Sequence, residues 1–320
     1  MFGHIKSTPS ASLNWKLITA ISVLGFMGMS RGSDEGIISG VSSSKSWLQR
    51  FQVQDGSSAQ SNVVSMVQLG SIPGSLLAFL VVDQLGRLRT SQICCLLWLV
   101  GNTVWITSPG SVGQVLAGRF VSGLGIGGFP VVCPTFLAEI APATVRGAAV
   151  GAFSSSVYIA ILIGYSVNYG VSLHYDDTDE RIWKIPVAVN FIFAGLALMG
   201  TLAIRESPRW LLGKAREEEA IGNLCWYRGL PDDHPFIKEE LEGIRTQTGM
   251  ERQASELANK PGTTRLVELF SKSSNLYRLF VIGFGIQILG QWSGGGSLTI
   301  YAPKIINLVE KTSDTTLFTT

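Results

Sequence analysis

The sequence predicts an all-α membrane protein, and three observations support that fold class. Of the 320 residues, 46% are hydrophobic and only 15% are charged, whereas soluble domains carry about 25% charged residues. The 36 glycines fall mostly within apolar runs, where small residues let helices approach closely. About seven of these runs are as long as a helix needs to be to cross a bilayer, roughly 20 residues.

The predicted spans are joined by loops that differ in charge. The first four spans are separated by short loops with few charges, as expected of a packed helical bundle. Arg87 and Arg89 follow span two and Arg146 follows span four, whereas loop 174–181 after span five is net acidic. By the positive-inside rule the N-terminus is cytoplasmic, and we expect an integral, multi-pass protein of the plasma membrane. The spans cover approximately residues 17–41, 63–82, 91–107, 112–137, 148–171, 185–204 and 279–301.

The chain after span six has a different composition. Charges of both signs are dense between residues 206 and 278, and apolar residues such as Leu241 and Ile244 recur at helical spacing, which predicts short amphipathic helices on the cytoplasmic face. We therefore expect a six-helix lobe over residues 1–211, a cytoplasmic helical segment over 212–276 and a seventh helix in 277–320. Because residues 317–320 look like an apolar segment cut short, we expect an incomplete chain.

Two opposite charges, Asp34 and Arg119, lie inside predicted spans. A charge at bilayer depth costs several kcal/mol, roughly 3 or more, unless it is paired or faces a water-filled cavity, so such residues are usually functional. The pair indicates an internal polar pathway. However, Arg31 lies three residues before Asp34 and four before Glu35, and it could pair with either along one helix face. A purely structural pair within one helix is the alternative.

Acid–arginine combinations recur at three predicted cytoplasmic helix ends, after spans two, four and six. Each combination could simply anchor its helix end at the water interface, but three such combinations together favour a common role. The six residues are Asp83, Arg87, Glu139, Arg146, Glu206 and Arg209.

Four sequence motifs cover these helix ends and span four. They are D-x-x-G-R at 83–87, G-R-F-x-x-G-x-G-x-G at 118–127, P-x-x-x-x-E-x-x-P-x-x-x-R-G at 134–147 and E-S-P-R-W-L at 206–211. In combination they resemble the sugar porter family of the major facilitator superfamily, and the resemblance extends from span one through span seven. It implies two six-helix lobes with substrate bound between them near mid-membrane. This chain would hold the N-terminal lobe, the intracellular helices and the first helix of the C-terminal lobe.

The resemblance also implies roles for the charged residues. The six residues at the helix ends would form a cytoplasmic gate, whose pairs form when the substrate site faces outward and break when it opens inward. Asp34 and Arg119 match the positions that proton-coupled members use for coupling, which implies proton symport. One departure is Phe79, which stands where the family usually has a glycine four residues before the loop acid.

Span seven carries the sugar contacts that the family would use, Gln287, Gln291, Trp292 and Tyr301. Amide side chains both donate and accept, which suits a ring of hydroxyls. Gly290, Gly296 and Ile300 replace a glutamine, an asparagine and a tyrosine of the family pattern, and Ser154 in span five replaces a glutamine. These replacements remove partners for a hexose, so another sugar, a polyol or a cyclic hydroxy acid such as quinate would suit the altered site.

The leading hypothesis is a secondary active transporter of a sugar or related polyhydroxy compound, with protons as the coupling ion and the lipid bilayer as its surroundings. The alternatives are a facilitative uniporter, a quinate-type permease, a non-transporting nutrient sensor on the same fold, and, from the span count alone, a seven-helix receptor. Without most of a second lobe, residues 1–320 by themselves are expected not to transport.

Other functional classes find no support in the sequence. A net charge of +2 is too small to indicate nucleic acid as a partner. His4, His174 and His234 lie outside the spans and have no paired ligands nearby. We therefore expect no metal, no cofactor and no catalytic residues, and not an enzyme.

Overall fold

The computed structural model describes residues 14–257 and 282–296, and in that part of the chain all regular secondary structure is helical. The all-α prediction is confirmed. The helices are α1 Trp15–Ser43, α2 Lys45–Phe51, α3 Ser58–Leu85, α4 Arg87–Ile106, α5 Val112–Ile140, α6 Arg146–His174, α7 Arg181–Gly200, α8 Pro208–Gly213, α9 Glu217–Arg228, α10 Pro235–Leu257 and α11 Gly285–Trp292, with a short 3₁₀ helix at Thr201–Ala203. The chain divides into two compact units, residues 1–241 and 242–320, which are described separately.

Helices α1 and α3 to α7 correspond to the first six predicted spans. Within the described residues, four helical stretches are long and apolar enough to cross a membrane, namely Ser58–Leu85, Val112–Ile140, Arg146–His174 and Arg181–Ala203. Helix α1 has 29 residues, which is ample length, but it carries four charged residues, Lys16, Arg31, Asp34 and Glu35. Of the predicted seventh span, residues 279–301, the structure describes residues 282–296, and α11 lies within that part.

Helix α5 occupies the centre of the first unit. It packs against α3 and α4 and also contacts α1 and α6, while α1 packs against α6 and α7. The glycine run of α5 makes this packing possible. A Cβ on Gly125 would lie 2.7 Å from the backbone nitrogen of Trp98 in α4, and one on Gly123 would lie 3.0 Å from the Cα of Gly70 in α3. The run therefore serves close helix packing, as its mid-span position indicates.

The helices begin where polar side chains can bond their first free amides. Asn14 accepts a hydrogen bond from the amide of Leu17 at 3.1 Å, and Ser57 and Ser111 similarly begin α3 and α5. Such N-caps typically contribute about 1 kcal/mol each. Gly86 ends α3 with a φ of +97°, a conformation that side chains other than glycine rarely adopt. The backbone thus turns directly from α3 into α4.

Helix α2 was not predicted, and it explains why basic residues lie in the loop after α1. Lys45 pairs with Asp177 at 2.8 Å and Arg50 pairs with Glu180 at 3.3 Å. The amide of Ser46 also donates to the carbonyl of Asp177 at 2.9 Å. The acidic loop between α6 and α7 therefore neutralises the basic residues of α2. We call this part of the bundle the α2 end.

Candidate functional site

An ion pair joins α1 to α5 in the interior of the first unit. The Nη1 of Arg119 lies 2.6 Å from the Oδ1 of Asp34, and the two side chains are 1% and 2% exposed. Arg119 also donates from Nε to the carbonyl of Val63 in α3 at 3.2 Å. Its guanidinium lies 4.8 Å from the ring centroid of Trp105 in α4. Four helices thus meet at one buried cation.

Close packing of α4 on α5 places Trp105 against Arg119. Gly118 precedes the arginine, and a Cβ there would lie 2.7 Å from the carbonyl oxygen of Gly101 and 2.8 Å from the amide nitrogen of Trp105. Only a residue without a side chain allows this approach, so the Gly-Arg dipeptide of the motif has a direct steric reason. The aromatic face then contributes a cation–π contact to a desolvated charge.

Arg31 pairs with Glu35 and leaves Asp34 to Arg119. The Nε of Arg31 lies 3.3 Å from the Oε1 of Glu35, with side chains 33% and 22% exposed. The sequence allowed Arg31 to bond either acid. In the structure Asp34 points into the bundle, while Arg31 and Glu35 lie on a face of α1 that is only half-buried. The two pairs are therefore separate.

A second charged network lies where α3, α4, α5 and α8 meet, which we call the motif end. The Nη2 of Arg87 lies 2.9 Å from the Oε1 of Glu139, with side chains 11% and 7% exposed. The Nη1 of Arg87 bonds the Oδ1 of Asp83 at 2.9 Å. Glu139 ends this network with a spare acceptor, because its Oε2 is buried without a hydrogen-bond partner among the described residues.

Glu206 holds the beginning of α4. Its Oε1 accepts from the amide of Arg87 at 3.0 Å, its Oε2 accepts from the amide of Leu88 at 3.0 Å, and Oε1 also accepts from the amide of Ser207. A carboxylate at a helix N-terminus is also favoured by the helix dipole. Burial raises the pKa of the Glu206 carboxyl, and the amide hydrogen bonds oppose that rise.

Trp210 completes the motif end. Its Nε1 donates to the carbonyl of Asp83 at 3.0 Å, so α8 is bonded to the end of α3, while Glu206, two residues before α8, is bonded to the start of α4. The structure therefore brings together Asp83, Arg87, Glu139 and Glu206 of the six predicted gate residues. Arg146 begins α6 with an exposed side chain and has no ion pair within the described chain. Arg209 lies half-buried in the first turn of α8.

One charged pair at this end was not singled out from the sequence. Arg228 in α9 is fully buried, and its Nε and Nη2 bond the two carboxylate oxygens of Glu240 in α10 at 2.8 and 2.6 Å. Its Nη1 donates to the carbonyl of Ile140, the last residue of α5, at 2.6 Å. The arginine thus ties α9 and α10 to the end of α5. The signal in the sequence was an arginine just before the helix-ending Gly229.

The predicted substrate residues fall in three places. Ser154 lies in α6 with an exposed side chain. Gln287, Gln291 and Trp292 belong to the second unit, where they line one pocket of about 320 Å³ around α11. Tyr301 lies outside the described residues. Among the described residues, no group of three or more His, Cys, Asp or Glu side chains could hold a metal ion.

The family described as "Sugar (and other) transporter" matches residues 18–320 of this chain. Among curated relatives, the quinate permease of Neurospora africana is 32% identical over 326 residues, which cover 98% of this chain and 59% of that protein. The chain therefore spans little more than half the length of the relative it matches.

Solved structures with a similar fold are transporters. The xylose transporter XylE from E. coli, in a partially occluded inward open conformation, matches with a TM-score of 0.73 at 23% identity, covering 90% of this chain and 66% of that chain. The proton:xylose symporter XylE bound to 6-bromo-6-deoxy-D-glucose matches with a TM-score of 0.67 at 23% identity, covering 76% of this chain and 55% of that chain. This likeness confirms the prediction of a major facilitator fold.

Proposed function

We propose a transport function on the premise that the chain belongs to the Sugar (and other) transporter family, the sugar porters of the major facilitator superfamily. It is accordingly an integral membrane protein of a transporter family. The proposed activity is secondary active transport of a sugar or related polyhydroxy compound by alternating access, coupled to protons. The observation that carries the coupling is the buried pair of Asp34 and Arg119.

The geometry of this pair suits a proton switch. Asp34 and Arg119 neutralise each other at 2.6 Å in a site from which water is nearly excluded. Protonating the carboxyl would cancel one charge and leave Arg119 with two other contacts among the described residues, the carbonyl of Val63 and the ring of Trp105. A buried cation whose anion has been neutralised is costly. The cost would favour a second arrangement of α1 against α5, which is the conformational change that alternating access needs.

The motif end would serve as the cytoplasmic gate. Asp83, Arg87, Glu139 and Glu206 already form one network there, and Arg146 and Arg209 lie at the neighbouring helix starts. The spare Oε2 of Glu139 could accept a further cation when the gate closes. We propose that residues 1–211 form the N-terminal lobe, 212–276 the intracellular helices and 277–320 the start of the second lobe. The N-terminus would be cytoplasmic and the membrane the plasma membrane.

Two observations bear on the substrate. The solved relative is described as a proton:xylose symporter, which supports a sugar carried with a proton. The sequence relative is described as a quinate permease, which supports a cyclic hydroxy acid as the second candidate. Loss of family amide groups at Ser154, Gly290 and Gly296, and of a tyrosine hydroxyl at Ile300, fits a substrate other than glucose. A facilitative uniporter and a nutrient sensor are the alternatives to be excluded by experiment.

The test is uptake of labelled glucose, xylose and quinate by cells expressing the full-length protein, with and without a proton uncoupler. We expect at least one compound to accumulate and the uncoupler to abolish the accumulation. The variant Asp34→Asn should lose accumulation while keeping exchange, and the exposed control Asp232→Asn should behave like wild type. Accumulation that survives Asp34→Asn would remove Asp34 from the coupling role.

The same assay separates the other candidates. Uptake that equilibrates but never accumulates would indicate a uniporter, and absence of any uptake would favour a sensor. Cells expressing residues 1–320 alone form a further sample, for which we expect no uptake. Uptake by that sample would contradict the prediction that this stretch cannot transport by itself.

A further inference from the structure

A pocket between α1, α3 and α5 lies outside the ion pair of Asp34 and Arg119 and the motif end. Its volume is about 340 Å³, within the range of roughly 300–1,000 Å³ that small-molecule sites occupy. The lining combines one cation with polar side chains of α3 and apolar groups of α3 and α5. The residues that matter here are Arg31, Gln68, Ser71, Ser75, Ile126 and Pro130.

Arg31 offers an unused edge of its guanidinium to this pocket. Its Nε is held by the Oε1 of Glu35 at 3.3 Å, and no other partner is found for it in residues 14–257 and 282–296. The two Nη groups are therefore left with their hydrogens. A guanidinium fork binds a carboxylate through two parallel N–H···O bonds, with geometry that a hydroxyl cannot reproduce. Glu35 fixes the arginine and leaves this fork available.

The opposite wall presents groups that suit hydroxyls. Gln68, Ser71 and Ser75 follow a spacing of three and four residues, which places them on one face of α3. Ser71 donates to the carbonyl of Gln68 at 2.8 Å and Ser75 to that of Ile72 at 2.9 Å, so both hydroxyl oxygens are left to accept. The Gln68 amide can donate and accept.

Helix α5 contributes a further acceptor. Pro130 has no amide hydrogen, so it cannot make the usual helical hydrogen bond to the carbonyl four residues earlier, that of Ile126. Both residues line the pocket. The carbonyl of Ile126 therefore lacks its normal helical partner and is left to accept from another donor. This wall, like that of α3, suits a ligand rich in hydroxyls.

The charges around this part of α1 are balanced without a ligand, and they stay balanced when an anionic ligand arrives together with a proton. Arg31 and Arg119 carry two positive charges, and Asp34 and Glu35 carry two negative ones in their ion pairs. A bound carboxylate adds one negative charge, and one proton on an acid restores neutrality, which fits the proposed coupling to protons. A neutral sugar would offer no carboxylate to the two Nη groups of Arg31, whose Nε alone is bonded to Glu35.

We propose that this pocket binds a polyhydroxylated monocarboxylate, with the carboxylate on the Nη groups of Arg31 and hydroxyls on Gln68, Ser71 and Ser75. This assignment rests on the proposed transport function and names its substrate class. Arg31 is the specificity-determining residue, because it distinguishes the acid from a neutral compound of the same shape.

The test measures binding of three probes to the purified full-length protein in detergent: quinate, its uncharged methyl ester, and the neutral polyol myo-inositol. We expect wild type to bind quinate about 10- to 150-fold more tightly than the ester, the range for a hydrogen bond to a charged group. This comparison needs no variant. Arg31→Gln should abolish the preference while affinity for the ester stays within about threefold, and Arg31→Lys should keep part of it.

Two control variants sharpen the result. Arg50→Gln removes an exposed arginine at the α2 end and should leave the preference unchanged. Ser71→Ala should weaken acid and ester by a similar factor, about 2- to 10-fold, because it removes a hydroxyl partner and no charge. Equal affinity of wild type for acid and ester, or a preference that survives Arg31→Gln, would overturn the assignment.

The outcome is separable from that of the proposed function. If xylose is accumulated in an uncoupler-sensitive way while quinate does not bind, the substrate class is wrong and the transport function stands. If no compound is taken up, the transport function fails, and the acid–ester comparison still decides whether Arg31 recognises a carboxylate.

Discussion

Helix α1 carries two ion pairs one residue apart in sequence, and they differ in almost every physical respect. Asp34 bonds Arg119 across to α5 at 2.6 Å with side chains 1–2% exposed. Arg31 bonds Glu35 within α1 at 3.3 Å with side chains 33% and 22% exposed. The buried pair cannot lose a partner without leaving a desolvated charge. The half-exposed pair can exchange water for a ligand, so one helix can hold a coupling group and a recognition group on different faces.

The largest effect is expected from breaking the buried pair. Arg119→Leu leaves Asp34 without its cation and should destabilise the protein by about 3–5 kcal/mol, with a lower melting temperature in detergent. The double variant Asp34→Asn/Arg119→Leu should recover much of this loss, because no buried charge remains. A single variant as stable as wild type would show that water reaches Asp34.

The motif end should respond less strongly. Glu139→Gln keeps the shape of the side chain but removes the charge that Arg87 contacts through Nη2 and Nε. We expect a loss of about 1.5–3 kcal/mol, the usual range for a hydrogen bond to a charged group. Thermal unfolding checks this, with Gln84→Glu in the exposed α3–α4 region as a surface control. If Glu139→Gln lost less stability than the control Gln84→Glu, a structural role for the pair of Arg87 and Glu139 would be contradicted.

The half-exposed pair on α1 should matter little for stability. Arg31→Gln removes an i,i+4 pair, which typically contributes about 0.3–0.5 kcal/mol. The melting temperature should therefore change by no more than a degree or two while ligand selectivity changes strongly. A large loss of stability would mean that Arg31 is a structural residue and that the two ion pairs of α1 do not differ in role.

The smallest effect is expected at the α2 end, where the ion pairs are exposed. The hydrogen bond with Asp177 raises the pKa of Lys45. The contribution of this ion pair to folding stability is therefore complete at neutral pH and is lost only as the pH rises through that raised pKa. The hydrogen bond from Lys184 lowers the pKa of Glu180. The contribution of the Glu180 ion pairs to folding stability is therefore lost only as the pH falls through that lowered pKa. Between about pH 5 and 9, Lys45→Ala should leave the pH dependence of thermal stability unchanged.

Much of the first unit followed from residue spacing alone. Apolar runs located α1 and α3 to α7, and the motifs identified the residues of the motif end, because both signals are local in sequence. Spacing could not choose a partner for Arg31, since residues three and four positions away are both within reach on a helix. Only the rotation of α1 against α5 decides that Asp34 points inward.

Other features depended on contacts between distant segments. The pairing of α2 with the acidic loop near Asp177 requires that these two segments lie side by side. The hydrogen bond between Arg228 and Ile140 requires that α9 pack against the end of α5. Neither contact leaves a repeated pattern in the sequence. The same holds for the pocket at Arg31, whose walls come from three helices. The role of Tyr301 remains a prediction, because that residue lies outside the described part of the chain.

The carboxylate of Glu206 has a consequence for the order of events during synthesis. The amide it accepts from at Arg87 lies 119 residues earlier in the chain. At roughly 5–20 residues per second, a ribosome needs about 6–24 s to make that stretch. Helix α4 therefore enters the membrane with its first amides satisfied by water, and it receives its cap only after α5, α6 and α7 have been made. The turn between α3 and α4 is an early segment that is completed late.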